Sequence, residues 1–202
     1  MKNLSQFIIE KLKIRKSNHS YKYFPETKEQ LKDILIKLIE ERGNEGDFND
    51  IYTSEITDMS KLFKDMKKFN GDISKWDVSN VTTMRSMFEN CYSFNQDISN
   101  WNVSKVTDMS FMFNYCQKFN QDISNWDVSK VENMKYMFNC CYKFNQDLSN
   151  WNVSNVINME YMFSGCTSFN QPLNDWNASI IKYKTGIFEK CPIKEKYKPK
   201  FK

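Results

Sequence analysis

Glycine and proline are scarce, five and four residues in 202, and histidine occurs once, as His19. Few breakers combined with 15% aromatic residues exclude a low-complexity chain and leave ample material for a packed core. His19 has no cysteine or serine motif beside it, and the chain has no Gly-rich phosphate loop and no nucleophile elbow. No C-x-x-C pair occurs, which removes the usual zinc spacing. These absences predict a non-enzyme without catalytic residues, cofactor, metal or small-molecule substrate. No apolar run approaches the ~20 residues of a membrane helix. The opening "MKNLSQFIIEKLKIRK" has only "FII" before charges resume, and the first cysteine is Cys91, so neither a signal peptide nor a lipid-bearing cysteine is visible. A cytoplasmic chain is the expectation.

What the chain does have is repetition. Trp76, Trp101, Trp126, Trp151 and Trp176 stand 25 residues apart, and Phe69, Phe94, Phe119, Phe144 and Phe169 keep the same step. So do the columns that contain Met109 and Cys116. A fixed period of this size marks an array of stacked units that cannot bury their apolar faces singly.

Within a unit, Ile98, Trp101, Val103 and Val106 follow the L-x-x-L-x-L spacing of a leucine-rich repeat, with Trp101 and Val103 on one face of a short strand. Val106, Met109, Met112, Phe113 and Cys116 then fall on one face of a helix. Ser104 and its counterparts stand where an N-cap belongs, and Ser129 with Glu132 reads as a capping box. The expected fold is a right-handed α/β solenoid of about six turns, leucine-rich-repeat-like, with one short strand and one short helix per repeat. Asn95, Asn120, Asn145 and Asn170 are expected to form a ladder that satisfies backbone groups. Asp72, Asp97, Asp122 and Asp147 recur in the following turn, where they read as Asx turns rather than calcium ligands.

The pattern W-[DN]-V-S-x-V-x-x-M-x-x-M-F-x-x-C-x-x-F-N-Q-D-[IL]-S resembles the repeat of BspA-like leucine-rich repeat proteins, found in bacterial surface proteins, mycoplasmas and phages. The resemblance covers about residues 51–191. It implies a repeat solenoid with a binding role, often adhesive, and no catalytic residues. It also implies that a surface or virion-associated location stands beside the cytoplasmic one.

Residues 1–50 differ in composition and read as a helical cap, with Thr27 and Gln30 as capping box, Leu31, Ile34, Leu35, Leu38 and Ile39 as apolar face, and an end near Gly43. The stretch "LSQFIIEKLKI" precedes it as a second amphipathic segment; a partner-docking helix is the alternative to capping. Residues 192–202 form a basic C-terminal tail, and residues 182–202 carry eight lysines against two glutamates. That tail reads as a solvated end, with nucleic-acid binding the weaker alternative. Five of the six cysteines occupy one apolar column, as buried reduced thiols would.

Two surfaces qualify for partner binding. One carries Asp77, Asn102, Asp127 and Asn152 beside the tryptophans. The other carries the large side chains Phe111, Tyr136 and Tyr161, with Tyr115 near them, residue types enriched at interfaces. The expected function is non-catalytic binding of an unidentified protein by a monomer or weakly self-associating chain. The alternative is a structural component of a larger assembly such as a phage particle or cell envelope.

Overall fold

The computed structural model describes residues 21–201. Among the described residues there is one α-helix, α1 (Lys28–Arg42), and one short 3-10 turn, Glu195–Tyr197. There is no sheet; pairing is limited to isolated parallel bridges one residue wide, among them Asp58 with Thr83, Thr83 with Asp108 and Asp108 with Asn133. The expected strand and helix of each repeat are both absent. The α/β solenoid is therefore the wrong fold class for this chain.

Each 25-residue unit is instead a coil built of consecutive tight turns. The amide of Trp101 donates to the Ile98 carbonyl at 3.1 Å, Val106 to Val103 at 2.9 Å, Met112 to Met109 at 3.1 Å and Cys116 to Phe113 at 2.8 Å. All eight of these residues are buried. The spacing of three that suggests a helix face is thus the spacing of the first and fourth residues of a β-turn, both pointing inward.

A helix is ruled out by where the other amides go. Met109, Phe111, Phe113 and Tyr115 donate to the carbonyls of Asn133, Lys135, Met137 and Asn139 in the next coil, at 2.8–3.0 Å. Alternate amides therefore close turns within a coil and bridge to its neighbour. Phe111 and Tyr115 also sit at φ 60° and 61°, in the left-handed region, as do Tyr136 and Cys140 one coil on. Such a residue at every fourth position cannot continue an α-helix, and for bulky side chains it is strained. A helix as short as the predicted segment is marginal alone, whereas the inter-coil ladder satisfies its backbone groups on both sides.

The serine caps fail for the same reason. In the sequence W-[DN]-V-S the aspartate or asparagine oxygen accepts from the serine amide, as from Ser104 to Asn102 at 3.2 Å and from Ser129 to Asp127 at 3.0 Å. The amide of Glu132 donates back to the Thr107 carbonyl, so no capping box forms there.

Inside, two phenylalanine columns run along the stack. Phe88, Phe113 and Phe138 lie 5.6–5.7 Å apart ring to ring, and Phe94, Phe119 and Phe144 5.9–6.0 Å apart. Within a coil the two columns meet, as Phe113 meets Phe119 at 4.1 Å. Burying each ring contributes ~1.5–3 kcal/mol. The tryptophans close the core at one side, each indole N–H donating to a carbonyl of the preceding coil, Trp126 to Ile98 at 3.2 Å. The asparagine ladder is present: Asn120 and Asn145 donate their amides to the side-chain oxygens of Asn95 and Asn120, each at 2.9 Å.

The first coil is covered by α1, and the last is covered in part: the amides of Gly186, Phe188 and Lys190, which continue the inter-coil row, have no backbone acceptor among the described residues. The Thr27 hydroxyl accepts from the Gln30 amide at 3.2 Å, while the Gln30 side chain reaches back to the amide of Glu26. Gly43 ends α1 at φ 77° with its amide on the Ile39 carbonyl. Leu31, Leu35 and Leu38 are fully buried in the common core, and Lys28 ties α1 to Asp58 and Ser60 of the first coil. The stretch "LSQFIIEKLKI" lies outside the described residues. At the other end the basic segment lies on the stack: Ile193 and Pro199 are buried, the Tyr197 carbonyl accepts from Leu173 at 2.8 Å, and the Lys194 amide donates to Asn170 at 3.0 Å.

Gly71 shows how the first coil adapts to its cap. It stands where other coils carry Gln96, Gln121 and Gln146, and a Cβ there would run into the Phe48 ring. Restoring the repeat's own residue with Gly71→Gln is expected to destabilise the protein by about 1–3 kcal/mol through overpacking. Urea denaturation measures this, and an unchanged midpoint would contradict it.

Candidate interaction surface

The eight residues predicted as partner-binding divide between two sides of the coil. Asp77, Asn102, Asp127 and Asn152 are exposed, one per coil, and each oxygen accepts from the amide two residues on. Hydrogen bonds from Ser129, side chain first and backbone second, hold the Asp127 carboxyl below the usual carboxylate range. These groups are committed to the backbone. Asp72, Asp97, Asp122 and Asp147 form the same Asx turns with Ser74, Ser99, Ser124 and Ser149, each at 2.9 Å. Among the described residues no three His, Cys, Asp or Glu side chains gather closely enough to hold a metal ion.

Phe111, Tyr136 and Tyr161 form one half-buried stack, with successive rings 4.9 Å apart and tilted by 12° and 16°. The Arg85 guanidinium sits 5.8 Å over Phe111, and Gly186 ends the column under Tyr161. Lys135, 5.6 Å over Tyr136, is held by Glu160 at 2.9 Å. The left-handed backbone at Phe111, Tyr136 and Tyr161 projects the rings outward while the residues on either side stay in the ladder.

Tyr115 belongs to a second left-handed column, which also contains Asn90, Cys140 and Gly165. Its phenol is raised above its ordinary pKa by the charge of Cys140 first, then by the hydrogen bond to it, with Tyr92 and Tyr136 contributing further. Tyr142 is raised by the same cysteine and by Tyr115 and Tyr92. Tyr115 and Tyr142 thus both feel Cys140 and Tyr92. Sequence reasoning passed over Tyr92 and Tyr142, which follow the cysteine column directly and were legible there.

All six cysteines are free. Cys91, Cys116, Cys141 and Cys166 are buried, and each thiol donates to a phenylalanine carbonyl of the preceding coil at 2.9–3.0 Å. Burial pushes these thiols well up, so they stay protonated and unreactive. Cys140 and Cys191 are only partly buried. A thiol-reactive chromophore is thus expected to label those two in the native protein and the buried four only after denaturation. Rapid labelling of all six without denaturant would contradict the packing.

The geometry defines a repeat protein of stacked coils with an aromatic side. A family model described as "Mycoplasma protein of unknown function, DUF285" matches residues 35–141 and, overlapping them, 100–198. The chain belongs to that family, and its two overlapping matches reflect the internal repeat. No curated protein and no solved structure matches it. Among the described residues no helix is long and apolar enough to cross a membrane.

Proposed function

We propose that this chain is a non-catalytic protein-binding module that presents a rigid repeat surface, of the BspA-like leucine-rich type in its sequence pattern and adhesive in the manner of that group. The observation that carries the reading is the outward aromatic ladder of Phe111, Tyr136 and Tyr161, with Tyr115 exposed four residues beyond Phe111. Rigid aromatic side chains give contact area at low entropic cost and are enriched at interface hot spots. The Asx-turn side, by contrast, offers oxygens already engaged by the backbone. The α1 cap over the first coil limits end-to-end stacking to one end, and six free thiols suit a reducing compartment.

The test is capture on beads from lysate of the producing cells and from their surroundings, identified by mass spectrometry. A specific protein should be retained, lost with Tyr136→Ser/Tyr161→Ser, and kept with Asp127→Lys/Asn152→Lys, each variant first shown to melt cooperatively. Loss only in the second variant moves recognition to the Asx side. Retention of nothing from any source overturns the reading and leaves a structural role in a larger assembly as the better account.

A further inference from the structure

Two largely exposed columns on the flank beyond the tryptophans are polar through most of the stack, one including Thr82 and Thr107 and the other the half-buried Asn80 and the exposed Lys105. The last coils break both rules. Ile157 continues the first column, Ile180 the second, and Tyr183 follows a column of aspartate, threonine and asparagine. Ile180 is 45% and Tyr183 54% exposed, the two largest values among the exposed large hydrophobics of the described residues. Two of them are joined by the backbone: the Ile157 carbonyl accepts from the amides of Lys182 at 2.9 Å and Tyr183 at 3.2 Å. Ile157 and Ile180 line a groove of about 460 Å³ with Thr107, Lys130, Glu132 and Asn155. The repeat supplies polar residues at these positions, so the apolar ones are not demanded by folding.

Charge selects the occupant. Lys130 borders the groove and Lys182 stands beside Ile157, both exposed and without an ion pair among the described residues. Lys184 follows, its ammonium 5.5 Å over the Phe201 ring, and Glu132 is the single carboxylate in the groove. A groove with two isoleucines, Lys130 on its wall and Lys182 next to the Ile157 backbone suits an apolar anchor with carboxylates beside it. A second copy of this end would bring lysines against lysines. A nucleic-acid strand would leave the patch for a stack whose residues 51–181 carry 14 acidic and 11 basic groups.

We propose that this shoulder docks an acidic linear segment of a partner protein, seating one apolar or aromatic side chain between Ile157 and Ile180 while its carboxylates meet Lys130 and Lys182. The proposal rests on the binding-module reading but uses a different surface from the aromatic ladder. A random peptide library selected against the immobilised full chain tests it. Enriched peptides should carry an aromatic or aliphatic anchor flanked by Asp or Glu. A fluorescein-labelled copy of the best should lose about tenfold or more in affinity with Ile180→Asp and with Lys130→Glu/Lys182→Glu, weaken in salt, and bind Tyr136→Ser/Tyr161→Ser unchanged. Ile180 is exposed, so its substitution should leave the fold intact, and matching thermal melts check this. The inference is overturned by no enrichment, by enrichment without acidic bias, by loss in the Tyr136/Tyr161 variant instead, or by a labelled oligonucleotide or a second copy of the chain occupying the patch. In each of those cases the capture experiment still decides the binding-module reading by itself.

Discussion

Phe113→Ala is expected to lower the unfolding free energy by about 3–5 kcal/mol, as full truncation of a buried ring does. Phe111→Ala, two residues away, is expected to cost only about 1 kcal/mol, the worth of one partly exposed aromatic pair. The contrast follows from the turn geometry. Phe113 is fully buried and its ring meets Phe88, Phe119, Phe138 and Trp126, so its loss opens a cavity shared by three coils. Phe111 projects outward and loses its contact with Tyr136 and the Arg85 guanidinium. With total stability of about 5–15 kcal/mol for a domain, the first variant loses a large fraction. Because each coil contacts its neighbours, a central defect is also expected to uncouple the two halves and reduce the urea m-value. Equal losses for the two variants would mean that the columns are assigned to the wrong sides.

The second large effect lies in the cap. Leu35→Asp places an unpaired carboxylate at a fully buried position and is expected to cost more than about 4 kcal/mol, while Leu35→Ala costs about 2–5 kcal/mol. In inner coils the carbonyls of Asn133, Lys135, Met137 and Asn139 accept from the coil before. Their equivalents in the first coil, Asp58, Ser60, Leu62 and Lys64, receive no backbone donor among the described residues and lie beneath α1. Loosening α1 exposes that row and the start of both phenylalanine columns. Hydrogen exchange of Leu35→Ala should therefore accelerate first across residues 59–66, with the central coils protected. Acceleration spread evenly along the stack would show that α1 is not a local cap.

The period, the buried columns, the asparagine ladder and the limits of α1 were all legible, because each depends on residue type at a fixed register. The conformation inside the coil was not. Steps of three, three, one and three satisfy a helix face and a run of turns equally, since both bring residues i and i+3 to one side. What separates them is the destination of the amides, and Phe113 donating 24 residues forward leaves no local trace. One signal was present. The column of Tyr115 holds Asp65, Asn90 and Gly165, and that of Phe111 ends in Gly186, the residue types that tolerate positive φ. Two aligned columns of that kind, four residues apart, argue against a helix.

The candidate surface was readable to a similar depth. Phe111, Tyr136 and Tyr161 share a column by simple counting, but their stacking requires the left-handed backbone. Asp127 and Asn152 were placed correctly outside, yet their engagement by the amides of Ser129 and Ser154, with the Ser154 hydroxyl adding a bond to Asn152 at 2.7 Å, turns the serines away from any helix. Reading those serines as helix caps followed directly from assuming the helix.

The most direct test of the turn-built coil is a measurement of scalar couplings across hydrogen bonds, on deuterated protein, between amide nitrogens and carbonyl carbons. Phe113 should correlate with the carbonyl of Met137, and Phe111 and Tyr115 with those of Lys135 and Asn139, all in the next coil. A correlation from Phe113 to the Met109 carbonyl, four residues back, would restore the helix and contradict this architecture.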